Sequence, residues 1–220
     1  MEFNQASTGR MDTDHRAYWD RAAATHSFTH PMNLEWLAPL RHQARILDYG
    51  CGYGRTLQVL YEHGLRNGLG VDFSGGMIAR GRALHPHLDL RTIGALPLAE
   101  PDGAFDAVLL FAVLTCIPRD EDQIALIAEL RRLLKPGGLL YVSDYPLQTD
   151  ARNLARYQAS EARHGVHGVW EREDGGVFRH HDMAWLRTLL SGFEEAACET
   201  VQTTTMSGHP AESVQMLCRR

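Results

Sequence analysis

The chain has 220 residues, 44% hydrophobic and 22% charged, which suits one ordinary domain with a real core. A net charge of -5 lacks the basic excess that a nucleic-acid surface uses to displace counterions, so no nucleic-acid partner is expected. Cys51, Cys116, Cys198 and Cys218 stand far apart without a C-x-x-C pair, and neither an apolar signal core nor a stretch of membrane-spanning length occurs. No metal site, disulfide framework or membrane segment is therefore expected, and the default is a cytoplasmic protein with reduced thiols.

In chain order, Met1 to Asp12 reads as a leader, and Thr13 to Ala24 and Asn33 to Leu40 read as helices flanking the loop Thr25 to Met32. Strand and helix then alternate: strand Arg45 to Tyr49, helix Arg55 to His63, strand Leu69 to Phe73, helix Gly75 to Leu84, strand Asp89 to Ile93. Strand Phe105 to Phe111 leads to a helix that Asp120 can cap, with Gln123 in the capping-box position and Ile124, Ile127, Leu130 and Leu134 as its apolar stripe. That helix stops at Pro136, turns through Gly137 and Gly138, and enters the strand Leu139 to Ser143. Such alternation implies a parallel sheet with right-handed crossovers and ligands at the strands' C-terminal ends.

After Asp144 the pattern changes. A polar helix over Asp150 to Glu161 precedes two strand-like runs, Gly168 to Glu173 and Gly176 to His180, around Asp174-Gly175, which is a hairpin signal. A helix from Asp182 to Leu190 follows, then two final runs, Glu195 to Thr205 and Glu212 to Cys218.

The glycines Gly50, Gly52 and Gly54 follow the apolar run Ile46 to Tyr49 and precede a helix. Glycine allows a sharp turn and close backbone approach to a ligand, and the helix start offers free N–H groups. The pattern alone occurs in plain turns and in dinucleotide sites. Asp72 ends the next strand about 20 residues downstream, where a carboxylate meets a ribose. The third glycine comes one residue early for Gly-x-Gly-x-x-Gly, and Asp48 sits just before the glycines, which turns the reading away from nicotinamide cofactors.

Together with Phe105-Asp106-Ala107-Val108 and Leu133-Leu134-Lys135-Pro136-Gly137-Gly138, these motifs resemble the class I S-adenosylmethionine-dependent methyltransferases from about Ala44 onward. The resemblance implies an α/β fold: a Rossmann-like, doubly wound, mostly parallel seven-stranded sheet ending in an antiparallel hairpin, with helices on both faces. It divides the chain into a leader and helical cap, 1–43, and a cofactor-binding domain, 44–220, in which 145–181 forms a lid.

The implied cofactor is S-adenosylmethionine, with S-adenosylhomocysteine as product. Gly50, Gly52 and Gly54 would pass beneath it, Asp48 would hold its ammonium group, and Asp72 would accept its ribose hydroxyls. Many relatives carry an acidic residue for adenine where Gly94 stands here, so backbone groups of Gly94 and Ala95 with Leu96, and Phe73 beside the base, take that place. Phe111 and Tyr18 complete the cofactor set. Cys116 reads as an apolar wall residue, because a methyl sulfonium is attacked directly by its acceptor.

The candidate bases for a hydroxyl acceptor are His181, Asp144 and His180; a thiolate or amine needs none. The expected partner is a small-molecule methyl acceptor, planar or anionic, beneath lid residues Tyr157, Trp170, Phe178, Arg152, Arg156 and Arg172, in a monomer or homodimer. A protein or peptide methyltransferase with an open groove, and a non-catalytic binding module, are the alternatives.

Overall fold

The computed structural model describes residues 16–220, so Met1 to Asp12 and the start of the expected first helix lie outside the described residues. A helix covers residues 16–22 (α1). The helix expected over Asn33 to Leu40 is only a 3-10 turn, Leu34–Leu37, capped by Asn33 accepting from the Glu35 N–H. Pro39 has no N–H with which to continue a helical ladder.

The elements that follow are β1 (Ile46–Tyr49), α2 (Arg55–Glu62), β2 (Gly68–Asp72), α3 (Gly75–Leu84), β3 (Asp89–Thr92) and β4 (Phe105–Phe111). After a 3-10 turn, Leu114–Cys116, come α4 (Asp120–Leu133) and β5 (Leu134–Asp144). The remainder is α5 (Ala151–His164), β6 (Val169–Glu171), β7 (Val177–Arg179), α6 (Met183–Leu189), β8 (Glu194–Thr204) and β9 (Pro210–Arg219).

Seven strands form one sheet in the order β3-β2-β1-β4-β5-β9-β8, and β6 and β7 form a separate hairpin. The first five pair in parallel, while β9 runs antiparallel to both neighbours. The strand order reverses between β1 and β4, which opens a crevice at their C-terminal ends. Strand periodicity sorts the core onto two faces. Val108, Leu110, Leu140 and Val142 pack on one, and Ala107, Leu109, Leu139 and Tyr141 on the other.

Pairing jumps from Phe105–Leu134 to Ala107–Leu139, so residues 135–138 bulge from the ladder; this bulge is the expected Pro-Gly-Gly turn. The α4 reading needs two corrections. Arg119, not Asp120, occupies the N-cap position, and Asp120 instead pairs with Arg179. The buried stripe includes Leu126, Ile127, Leu130 and Leu133, whereas Ile124 is 53% exposed and Leu134 belongs to β5. The reason is Gln123: it points inward, donating to the carbonyls of Leu114 and Ile117, and so sets the helix's rotation.

The N-terminal segment is tied to the sheet through polar contacts. Asp20 on α1 accepts from the Ser74 hydroxyl at 2.6 Å and from the Gly76 N–H at 2.9 Å, and so caps α3 from outside. No helix among the described residues is long and apolar enough to cross a membrane.

Candidate active site

A cavity of about 630 Å³ lies over the C-terminal ends of β1, β2 and β4, within the usual range for small-molecule sites. Its floor is the glycine turn. Gly50 adopts φ +73°, and a Cβ there would overlap Val113 Cγ2. Its N–H and that of Cys51 both donate to the Val71 carbonyl, which locks the turn onto β2. Gly52 also lines the cavity, and a Cβ on it would lie 3.0 Å from the Phe28 ring. Gly54 is placed differently from the expectation: it is the left-handed N-cap of α2, its missing side chain faces Leu88 and Leu90, and it is not on the cavity wall. Helix entry and core packing require glycine there.

Two carboxylates flank this floor. Asp72 Oδ2 accepts from the Gly52 N–H at 2.9 Å and Oδ1 from the Ser74 N–H at 2.8 Å, fixing the β2 end to the glycine turn. Burial pushes its carboxyl upward. Asp48 is 2% exposed, and its Oδ2 has no hydrogen-bond partner. Burial pushes the Asp48 carboxyl up to about 7; Arg55 works against this and Asp72 adds to it. An orphaned buried carboxylate oxygen beside a cavity is satisfied by a cationic ligand group. Arg55, unforeseen, is the first residue of α2; it donates to the His30 carbonyl at 2.8 Å.

Phe73, Gly94, Ala95, Leu96 and Phe111 all reach the cavity wall. A side chain on Gly94 would meet nothing within 4 Å, so the space in front of it is open. Tyr18 is not on the wall. Its ring packs edge-on against Trp19 and Phe178, and Trp19, one residue along α1, lines the cavity instead. Successive helical residues point about 100° apart, so one of two adjacent aromatics faces the ligand space. Cys116 lines the wall as a thiol, its pKa raised well above the ordinary value by burial, with Sγ donating to the Ala112 carbonyl.

The three candidate bases separate. His180 reaches the wall, with Nδ1 hydrogen-bonded to the Tyr157 hydroxyl at 2.6 Å. His181 and Asp144 do not: both are fully buried and absent from the wall. Asp144 accepts from the N–H groups of Tyr145 at 2.8 Å and Thr115 at 3.2 Å. Burial pushes its carboxyl up to about 7. His181 Nε2 meets Gln123 Nε2 at 2.9 Å, and Gln123 Oε1 accepts from the Trp185 indole at 2.7 Å. Burial drives the His181 pKa down to about 3, so the 3.7 Å approach to Asp144 is not an ion pair at neutral pH. These two residues clamp the end of β5 to α4 and the adjoining 3-10 turn.

His30, from the N-terminal loop, was missed. It is 4% exposed and on the wall; Nδ1 hydrogen-bonds Ser143 Oγ at 3.0 Å, and Nε2 has no partner. Burial, with Arg55 nearby, lowers its pKa to about 4, so the ring is neutral at physiological pH. A run of rings continues from it: Tyr145 at 4.7 Å, His180 against Tyr145 at 5.3 Å, then Trp170 and Phe178. Arg119, Arg152, Arg156 and Arg172 join this wall, and residues 204–207 with His209 close the rim from the β8–β9 turn. The cavity thus has a polar floor on the sheet and an aromatic, arginine-bearing chamber built by the N-terminal segment and residues 145–181.

Among known proteins, a family model described as a methyltransferase domain matches residues 47–142. Ubiquinone biosynthesis O-methyltransferase of Pseudomonas aeruginosa is 31% identical over 197 residues, 78% of this chain and 83% of that protein. Methyltransferase-like protein 27 of Homo sapiens is 37% identical over 137 residues, 59% of this chain; the chain spans about half of that relative's length, at 52%. A SAM-dependent methyltransferase structure from Methanosarcina mazei superposes with a TM-score of 0.79 at 20% identity, covering 87% of this chain and 99% of that one.

Proposed function

We propose that this chain, which belongs to the class I S-adenosylmethionine-dependent methyltransferases, transfers a methyl group to a small-molecule acceptor enclosed in the chamber above the glycine turn. The observation that carries the reading is one cavity of small-molecule size running from the glycine-turn floor to a chamber lined by side chains of both flanking segments. A protein substrate would call for an open groove instead.

The residues present suit the cofactor. Asp48, with its orphaned oxygen, would take the ammonium group; Asp72 would take the ribose hydroxyls; the Gly50–Gly52 backbone would pass beneath. Phe73, Gly94, Ala95, Leu96 and Phe111 would surround the base and its linkage. When bound, S-adenosylmethionine supplies a methyl group already activated on a cationic sulfur, so no enzyme nucleophile is required. The protein's part is to hold the acceptor in line, exclude water and accept a proton where the acceptor is a hydroxyl. His30 Nε2 is placed for that role, being unpartnered, neutral and fixed through Ser143, and with a pKa of about 4 it acts as a weak base.

The test is calorimetry with S-adenosylhomocysteine and NAD, followed by a methyl-transfer screen against metabolites and peptides. Binding of the first ligand alone and turnover of a metabolite support the reading. Turnover of peptides only would favour the open-groove alternative, and binding without turnover a non-catalytic module.

A further inference from the structure

Besides Arg16 beside Ile93 and Arg55 at the glycine turn, four arginines line the cavity in its chamber: Arg119, Arg152, Arg156 and Arg172. Three face carboxylates. Arg119 pairs with Glu121 and Asp122, Arg172 with Asp174, and Arg152 lies 3.9 Å from Asp150. Arg156 has no carboxylate within ion-pair distance among the described residues; Asp150 acts on it from farther away, and the Tyr157 hydroxyl lies beside it. Its guanidinium lies 3.4 Å from the centre of the Trp170 ring, its Nε is buried without a hydrogen-bond partner, and its Nη2 approaches His180 Nε2 at 3.5 Å. Burial pulls its pKa down to about 10.

A half-buried guanidinium with no carboxylate in direct contact is costly to hold, and a ligand's anionic group would offset that cost. Stacking on Trp170 holds the planar fork on its flat face, which leaves the edge as the part that can pair. That edge matches a carboxylate, whose two oxygens accept two parallel N–H bonds. The neighbouring rings of Tyr145, His180, Trp170 and Phe178 form a wall suited to a flat molecule.

Resting on the methyl-transfer reading above, we propose that the acceptor is an aromatic carboxylate, with Arg156 holding its anionic group and the ring lying along the Tyr145–Trp170 wall. Arg156 therefore selects the acceptor and sets which atom faces the cofactor floor.

The experiment is calorimetric binding of 4-hydroxybenzoate and its neutral isostere 4-hydroxybenzamide to the protein saturated with S-adenosylhomocysteine. The carboxylate is expected to bind about tenfold or more tightly than the amide, the scale of a hydrogen-bonded charge. Arg156→Gln should erase that preference while leaving the amide within about twofold, and Arg156→Lys should keep part of it because charge survives without the fork. Equal binding of the two probes by the unaltered protein, or an unchanged ratio in Arg156→Gln, overturns the proposal. The wild-type comparison and Arg156→Lys decide the matter if Arg156→Gln does not fold. Saturation by S-adenosylhomocysteine is measured first, so failure of the cofactor reading is seen separately from failure of the carboxylate preference.

Discussion

Cofactor affinity should depend on pH through Asp48. The group is fully enclosed, its Oδ2 is unpartnered, and burial raises its carboxyl to about 7 despite the nearby Arg55. A bound ammonium group favours the ionised form, so below pH 7 binding must first remove a proton. With a pKa of about 7, the ionised fraction falls from about 0.76 at pH 7.5 to about 0.03 at pH 5.5, a loss of roughly 25-fold in affinity or about 1.9 kcal/mol.

Calorimetry with S-adenosylhomocysteine at pH 5.5, 6.5 and 7.5, in two buffers of different ionisation enthalpy, reads both affinity and proton release. His30, held to about 4, stays neutral across this range. Asp72 is also raised by burial, so Asp48→Asn is the control that separates the two carboxylates. The variant should bind more weakly and without the slope. A flat wild-type profile refutes the assignment, and a slope that survives in Asp48→Asn transfers it to Asp72. Ligand-free stability should show the opposite sense. The unfolded Asp ionises near 3.8 and the folded one near 7, so Asp48 lowers stability as pH rises between them, and Asp48→Asn should reduce that slope in urea titrations while Asp144 and Asp72, also raised by burial, keep the rest.

Gly50→Ala should destabilise the fold by about 1–2 kcal/mol from the left-handed conformation alone, with further loss from the Val113 overlap. Val113→Ala added to it should recover only the overlap part in chemical denaturation; full recovery would show that φ is not constrained. Asp72→Ala should weaken S-adenosylhomocysteine by about 1.5–3 kcal/mol, the worth of hydrogen bonds to a charged group, and unchanged affinity would remove Asp72 from the site. His30→Gln should lower turnover of a hydroxyl acceptor by roughly a hundredfold while leaving cofactor affinity nearly intact, and should matter little for a thiolate; equal turnover on the hydroxyl would leave positioning as the whole mechanism. His181→Gln should lower the melting temperature by disturbing the Gln123 clamp, without altering the pH profile of turnover; a shifted profile would return His181 to the chemistry.

The floor of the cavity was legible in this protein's sequence because its signals are local. Apolar strands, the glycine turn and the acids at two strand ends lie within about thirty residues, and backbone geometry alone brings Asp48, Gly50, Gly52 and Asp72 to one strand-end crevice. Strand periodicity likewise carried the sheet, and Asp174-Gly175 its hairpin. Even there, Gly54 could be read as a ligand glycine or a packing glycine, and only the nearness of Leu88 and Leu90 decides.

The chamber above it depends on contacts between distant segments. Nothing local links His30 to Ser143, 113 residues away, or distinguishes wall-facing His180 from its sealed neighbour His181. That pair shows the limit plainly: adjacent residues at a strand-to-helix junction point different ways, and Gln123, 58 positions earlier, captures one of them. Arg156 looks in sequence like its neighbour Arg152, yet Arg152 lies 3.9 Å from Asp150 while Arg156 lies on an indole ring with no carboxylate in contact. Which polar group is satisfied and which is left to meet a ligand depends on what surrounds it in three dimensions, and only the tertiary structure supplies those neighbours.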